Sequence, residues 1–338
     1  MPLCSRFMAR VIRVAVAATA CGACATTPST TSTSGQATAS DVTAEDAASG
    51  RELQLHEVFQ HFFSMPAGVE ISPALRSPQT LDDVKSVIRS DNFFLYEGAD
   101  RFFEKYLLDH PNDVEAMAWQ AQMHLAWADS ALVTEHALGR SIEQLHKQKD
   151  NFAQLSQDGS LSADTRSSAA TRARETGWLL DATVDARDRL RGLAVGKLHS
   201  AQERCALVLE LAPTSYLGTR LSADLYRLSE QWPEFERTVA ELEKKQPDSA
   251  GLHFQKGVDA YKRQHDLALA EKELKASLAR DENFVKARYT LALVLLASGR
   301  IDEASAAIEL VLKQSPGHPL AHSVKKYIAE LKQAALPV

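Results

Sequence analysis

The chain has 338 residues, 45% of them hydrophobic and 24% charged, with a net charge of −6 at neutral pH. That apolar content fills one large core or two modest ones. The acidic balance excludes a general nucleic-acid binder, which needs a basic face, and Lys and Arg form no long block that reads as a polybasic membrane patch.

In chain order, residues 1–23 come first and differ from the rest. Arg6, Arg10 and Arg13 give a positive start, 11–23 is apolar apart from Arg13, and small residues lead into Cys21, Gly22, Ala23 and Cys24. This is the layout of a secretory signal peptide, and the segment from Met8 already contains all three parts. It is too short for a bilayer span, which takes about 20 apolar residues. The segment resembles the signals of bacterial lipoproteins, in which a cysteine after small residues is lipidated and becomes the new N-terminus. The resemblance implies lipid on Cys24, with Cys21 as the alternative. Ordinary cleavage after Ala18, Thr19 and Ala20 is the other outcome the residues allow. Neither cysteine is followed by the Asp that retains lipoproteins in the inner membrane, which implies the outer membrane facing the periplasm. Losing 1–23 takes the net charge from −6 to −9 and leaves Cys24 and Cys205, too few for a disulfide framework.

Residues 24–50 read as a tether. Twelve of the 26 residues in 25–50 are Ser or Thr, and Phe, Leu, Ile, Trp and Tyr are absent, so the stretch lacks the apolar surface to order itself. As a random coil it reaches on the order of 30 Å. An N-terminal helical region, 51–160, follows. Leu53, Leu55, Val58, Phe59, Phe62 and Phe63 have helical spacing, and Pro66, Pro73 and Pro78 then interrupt. Thr80 with Asp83 reads as a helix start. One helix is expected through Ile88 and a second from about Phe93 to Asp109, stopping at Pro111. The Ala-, Trp- and Leu-rich segment 113–147 predicts one or two more. Polar residues 148–162 with Gly159 predict a connecting loop. A longer helix is expected over 163–198, and Ser200 with Glu203 predicts the start of the next. No alternating strand pattern occurs, so the expected class is all-α.

The second half repeats. Pro213 and Pro247 lie 34 apart, as do Glu282 and Pro316, with one inserted residue between Pro247 and Glu282. Twelve residues before these markers stand Ala201, Phe235, Ala270 and Ala304. Eight before stand Cys205, Val239, Leu274 and Ile308, and five before stand Val208, Leu242, Ser277 and Val311. Ala99, Phe103 and Tyr106 keep the same offsets to Pro111, giving one divergent repeat in the N-terminal region. A fixed period of this length marks stacked helical hairpins.

These columns resemble the tetratricopeptide repeat family. The match is fullest at Leu291, Ala292, Leu295, Gly299, Ala304, Ile308, Val311 and Pro316. It extends to Ala223, Tyr226, Val239, Leu242 and Pro247, and to Gly257, Tyr261, Ala270, Leu274 and Ser277. Trp232, Pro233 and Phe235 depart from the pattern where a small residue is expected. The resemblance implies a right-handed solenoid over 161–338, closed by a capping helix with Leu320, Val324, Ile328 and Leu331 inward and Lys325, Lys326 and Lys332 outward. It also implies a concave groove lined by the first helix of each unit, which receives a peptide or protein segment. Transferred to this sequence, the groove positions are Arg220, Asp224 and Arg227, then Phe254, Val258, Tyr261 and Lys262, then Lys286, Tyr289 and Leu293.

Catalytic patterns are weak. His56 and His61 are five apart, whereas a zinc helix needs four. His318 and His322 are four apart but lack a third ligand. Cys205 falls in a packing column, where cysteine acts as a small hydrophobe. Trp119 and Trp127, with Met117 and Met123, read as helix core or as a pocket lining. The expectation is a non-enzymatic, cofactor-free and metal-free interaction scaffold, anchored in the envelope and bound to a protein or peptide partner. The alternative is a helical periplasmic small-ligand-binding component associated with a transporter.

Overall fold

The computed structural model describes residues 73–334. The leader with Cys21 and Cys24, the tether, and the stretch with His56 and His61 lie outside those residues. Among the described residues all regular structure is helical, and no helix is long and apolar enough to cross a membrane.

A single turn, Pro73–Arg76, precedes α1 (Leu81–Arg89). Thr80 and Asp83 form the expected capping box: the Thr80 hydroxyl accepts from the Asp83 N–H at 3.2 Å, and the Asp83 carboxylate accepts from the Thr80 N–H at 3.0 Å. A 3-10 turn, Phe93–Leu95, leads into α2 (Tyr96–Asp109), which ends before Pro111 because proline disfavours helical geometry in the residue it follows.

Two long helices come next, α3 (Val114–Gln157) and α4 (Ala163–Leu211). Both correct the sequence reading. The expected loop over 148–162 shrinks to 158–162, because the polar residues before Gln157 are not helix breakers and Gly159 is the first that is. The expected helix start at Ser200 is absent: α4 runs through it. A Ser-x-x-Glu pair caps only where the preceding turn is missing, and here a continuous stripe of Ala194, Ala201, Cys205 and Val208 is buried along one face.

The expected boundary near 160 also gives way, because α3 and α4 each run from one compact unit into another. One unit, Thr134–Leu190, is an antiparallel helical hairpin. Ile142, Leu145 and Leu180 form its core, with Leu179 and Val184 against them. Its turn is organised by Asp158, whose carboxylate accepts from the Ser160 N–H at 2.9 Å and hydroxyl at 2.6 Å.

The other unit comprises 73–133 and 191–334. It contains the rest of α3 and α4, then α5 (Tyr216–Leu228), α6 (Trp232–Lys245), α7 (Ala250–Asp259), α8 (Leu267–Arg280), α9 (Val285–Ala297), α10 (Ile301–Gln314) and α11 (Pro319–Ala334). The repeat columns are its seams. Ala201, Phe235, Ala270 and Ala304 are buried, as are Cys205, Leu274 and Ile308 and all of Val208, Leu242, Ser277 and Val311; Val239 is partly buried. Small residues let paired helices approach closely while Leu and Ile fill the gaps. The inserted residue between Pro247 and Glu282 is taken up by a π-helical turn, Ala260–Gln264, closed by His265 in the left-handed region.

Phe235 is buried in spite of the small residue expected there. It packs with Ala223, Leu242 and Leu252, and Ala223 supplies the room. Pro233 sits in the first turn of α6, where its missing N–H costs nothing. On α11, Val324 and Ile328 are buried, and Lys325 and Lys332 reach Glu309 and Asp302 on α10 at 3.0 and 2.8 Å.

Candidate functional site

The groove positions of the array face the chain's own helix. Gln122 and Asp129 project from α3 towards α5, the π turn and α9. The Arg220 guanidinium donates to the Gln122 side-chain oxygen at 2.6 Å. The Asp129 carboxylate meets Lys286 at 2.8 Å and Lys262 at 3.5 Å. Arg227 pairs with Asp224 at 2.9 Å and adds its charge to the field on Asp129. Further along, His318 Nε2 lies 3.6 Å from Asp91, the Tyr96 hydroxyl donates to Asp91 at 3.2 Å, and the Ser315 hydroxyl donates to the Ser90 carbonyl. At the other end, Asp100 of α2 binds His124 of α3 at 2.8 Å and Lys197 of α4. The segment 81–133 thus contacts the array from α4 through to α11.

Burial alone disfavours the Asp129 carboxylate. Lys262, Lys286 and Arg227 outweigh that and hold its pKa below the usual carboxylate range. Burial likewise opposes the charges of Asp224 and Arg227; Arg227 and Arg220 shift the acid down, and Asp129 and Asp224 shift the base up. Three acids (Asp91, Asp129, Asp224) meet three bases (Arg227, Lys262, Lys286). A desolvated charge is tolerated only when it is paired in this way.

The segment leaves an opening into this face, a cleft of about 660 Å³. Trp119, Tyr216 and Phe284 give it aromatic walls. Arg89, Arg220 and Lys286 bring cations, and Asp91 and Asp281 bring carboxylates. The Arg89 guanidinium lies 5.3 Å over the Trp119 ring.

Residues 262–326 match a family model described as tetratricopeptide repeat. Over that stretch the chain is similar to tetratricopeptide repeats. Solved structures similar to it include a thermophilic tetratricopeptide repeat protein of Thermus thermophilus. That likeness has 18% identity and a TM-score of 0.40, and covers 70% of this chain and 91% of that one. Another is yeast Tom70, with 13% identity and a TM-score of 0.27, covering 86% of this chain and 72% of that one. No curated protein matches the sequence.

The helical repeats place the ten expected groove residues unevenly. The open, exposed groove implied by the resemblance is corrected: Phe254, Arg227 and Tyr261 are only 3%, 5% and 7% exposed. Phe254 packs on Phe284 at 4.9 Å, and Tyr289 stacks on His318 at 5.0 Å. Arg220, Asp224 and Lys286 are partly buried, and Lys262 alone of the ten is exposed. The physical reason is α3, which occupies the space a partner was expected to fill. Of the tryptophan pair, Trp119 lines the cleft, while Trp127 packs edge-on against Tyr96 at 6.0 Å beneath Lys197. Met117 and Met123 are core. His318 accepts from the Ala321 N–H through Nδ1, and His322 bonds the Pro316 carbonyl, so their spacing serves the start of α11. Burial pushes the Cys205 thiol up to about 12, which suits a packing residue.

Sequence reasoning missed Asp129, Gln122, Asp91 and Arg89. Asp129 had a signal: it is a lone acid in the run Ala126, Trp127, Ala128, Ser130 and Ala131. An acid on an otherwise apolar helix implies a paired base.

Proposed function

We propose that this protein is a protein–protein interaction scaffold. A lipid on Cys24, or on Cys21, holds it at a bacterial outer membrane facing the periplasm, and residues 24–50 lift its helical body off the membrane surface. The partner is a protein or peptide of the cell envelope; nucleic acid is not one. The work done is binding rather than catalysis. The observation that carries this reading is a repeat array whose seam residues are buried, with an opening lined by the groove positions Arg220 and Lys286. The leader layout and the tether composition support the location.

Two measurements test it. Mass spectrometry of the mature N-terminus is expected to find a diacylated or triacylated cysteine at 24 or 21, with the protein in the outer-membrane fraction; an unmodified N-terminus in the soluble fraction ends the anchoring claim. Purification from detergent-solubilised envelope is expected to retain a protein partner that an Arg220→Glu variant loses. A second reading, a small-ligand-binding component associated with a transporter, is favoured by Trp119 on the wall of the cleft. It predicts that tryptophan fluorescence responds to a solute while no protein is retained.

A further inference from the structure

We propose that the 660 Å³ cleft docks a short acidic segment of a protein partner, seating a carboxylate side chain on Arg89 and an adjacent apolar side chain against Tyr216 and Phe284. This rests on the scaffold reading and names the chemistry of its partner. The volume lies within the roughly 300–1,000 Å³ of pockets that take small ligands. A helix, about 10–12 Å across with its side chains, would need the space that α3 already fills.

The lining cations are not equivalent. The Lys286 ammonium is committed to Asp129 at 2.8 Å. Arg220 is committed to Gln122 at 2.6 Å, with Asp224 at 3.9 Å. Arg89 is exposed, lies over the Trp119 ring, and has no carboxylate partner among the described residues. A guanidinium over an indole ring makes no N–H···O bond through that contact, so its fork of donors is available to a carboxylate. The lining acids leave the position open. Asp91 is engaged by Tyr96 and His318, and Asp281 accepts from the Asn283 N–H at 3.0 Å.

The part of the wall formed by Tyr216 and Arg220 is built to stay in place. A Cβ at Gly251 would lie 2.7 Å from Arg220 Cδ and 3.0 Å from the Tyr216 hydroxyl, so the missing side chain lets both lie across the start of α7. Tyr216 also bonds the Ser249 hydroxyl at 2.5 Å. A fixed wall with a free cation at the rim selects one carboxylate beside one apolar group, at little ordering cost.

The experiment is fluorescence polarisation on the full chain in detergent, with three fluorescein-labelled hexapeptides that alternate Leu with Glu, Gln or Lys, and with free glutarate as competitor. The Glu peptide is expected to bind at least about tenfold tighter than the Gln peptide, the worth of one charge-assisted bond, and the Lys peptide weakest. Arg89→Gln is expected to remove that preference and leave the circular dichroism unchanged, since the side chain is exposed. Gly251→Ala is expected to weaken the Glu and Gln peptides alike, by disturbing the wall rather than the cation. Charge-blind peptide binding that Arg89→Gln does not move overturns the cleft assignment and leaves the scaffold standing. Binding of glutarate with no peptide bound overturns both and favours the solute receptor. No binding of any probe at millimolar concentration overturns the cleft assignment.

Discussion

Along the seams between paired helices, Ala270, Leu274, Ala304 and Ile308 are fully buried and bring no polar side-chain atom. Where the groove positions of the same array meet α3, Asp129 and Arg227 are nearly as dry and are held in their charged forms. The seams join residues of one hairpin, close in sequence, and any apolar residue of suitable size fits them. The contact with α3 joins residues as distant as Gln122 and Arg220, 98 apart, and tolerates only complementary charges in a fixed register. The seams therefore supply most of the stability, while the charged face fixes where 81–133 lies. Buried ionic groups in that second role specify an arrangement more than they stabilise it.

Removing one member of the charged network is the most severe test. Asp129→Ala leaves Lys286 and Lys262 without their acid, and breaking a buried pair costs about 3–5 kcal/mol. Urea unfolding is expected to show that loss, and Asp129→Ala with Lys286→Met is expected to recover part of it. Amide exchange sharpens the contrast: protection is expected to fall over α1 and α2 first, with α9 and α10 spared. A loss below about 1 kcal/mol, the worth of an exposed pair, would mean that the network does not hold the segment. Leu274→Ala tests the other region. Truncating a fully buried leucine costs about 2–5 kcal/mol, and its exchange signature is expected in α7 and α8 rather than in α1 and α2. Coincident signatures from the two variants would erase the distinction between the regions.

The same contrast explains which parts of the molecule were legible. A packing column needs a residue of a given size at a fixed offset from its own turn, so Ala304, Ile308 and Val311 declared themselves through spacing alone. The inserted residue before Glu282 was visible too, although the π turn that absorbs it was not. The occupant of the groove was invisible because no local rule couples Asp129 to Lys286. Of the transferred groove positions, Arg220, Lys262 and Lys286 contact α3, which no spacing rule of the repeat predicts. The long helices were under-read for a different reason. Ser200 with Glu203 is a capping signal only at a helix end, and sequence does not say whether the preceding turn is present.

Acid titration probes the charged face without mutation. Asp91, Asp129 and Asp224 are all held below their ordinary range. A carboxylate with a depressed folded-state pKa stabilises fully above its unfolded value, about 3.9, and loses that contribution as pH falls through the folded value. Stability is expected to be flat with respect to these groups from pH 7 to 5. Below pH 4 it should fall by up to about 1.4 kcal/mol per unit for each such carboxylate. Asp129→Asn should make the decline shallower by one group. An unchanged slope in that variant would place the acid sensitivity elsewhere.

The smallest effect concerns the turns that close two equivalent hairpins. At the end of α9, Gly299 has φ 77°, and the Arg300 N–H donates to the Leu295 carbonyl at 2.9 Å. At the end of α5, Glu230 has φ 57°, and the Gln231 N–H donates to the Tyr226 carbonyl at 2.8 Å. The two turns share a bonding pattern, that of a helix end closed by one left-handed residue. Only the first has the residue type that adopts this conformation without strain. Nothing lies within 4 Å of a Cβ built at Gly299, so Gly299→Ala is a backbone test with no packing component. It is expected to cost about 1–2 kcal/mol, the left-handed penalty for an L-residue. Glu230→Gly is expected to return a smaller gain, because glycine also loosens the unfolded chain. Neither change alters a charge that holds Asp129, so each should add to the effect of Asp129→Ala within about 0.5 kcal/mol. A larger coupling in the double variants would show that the hairpin turns and the charged face form one cooperative structure.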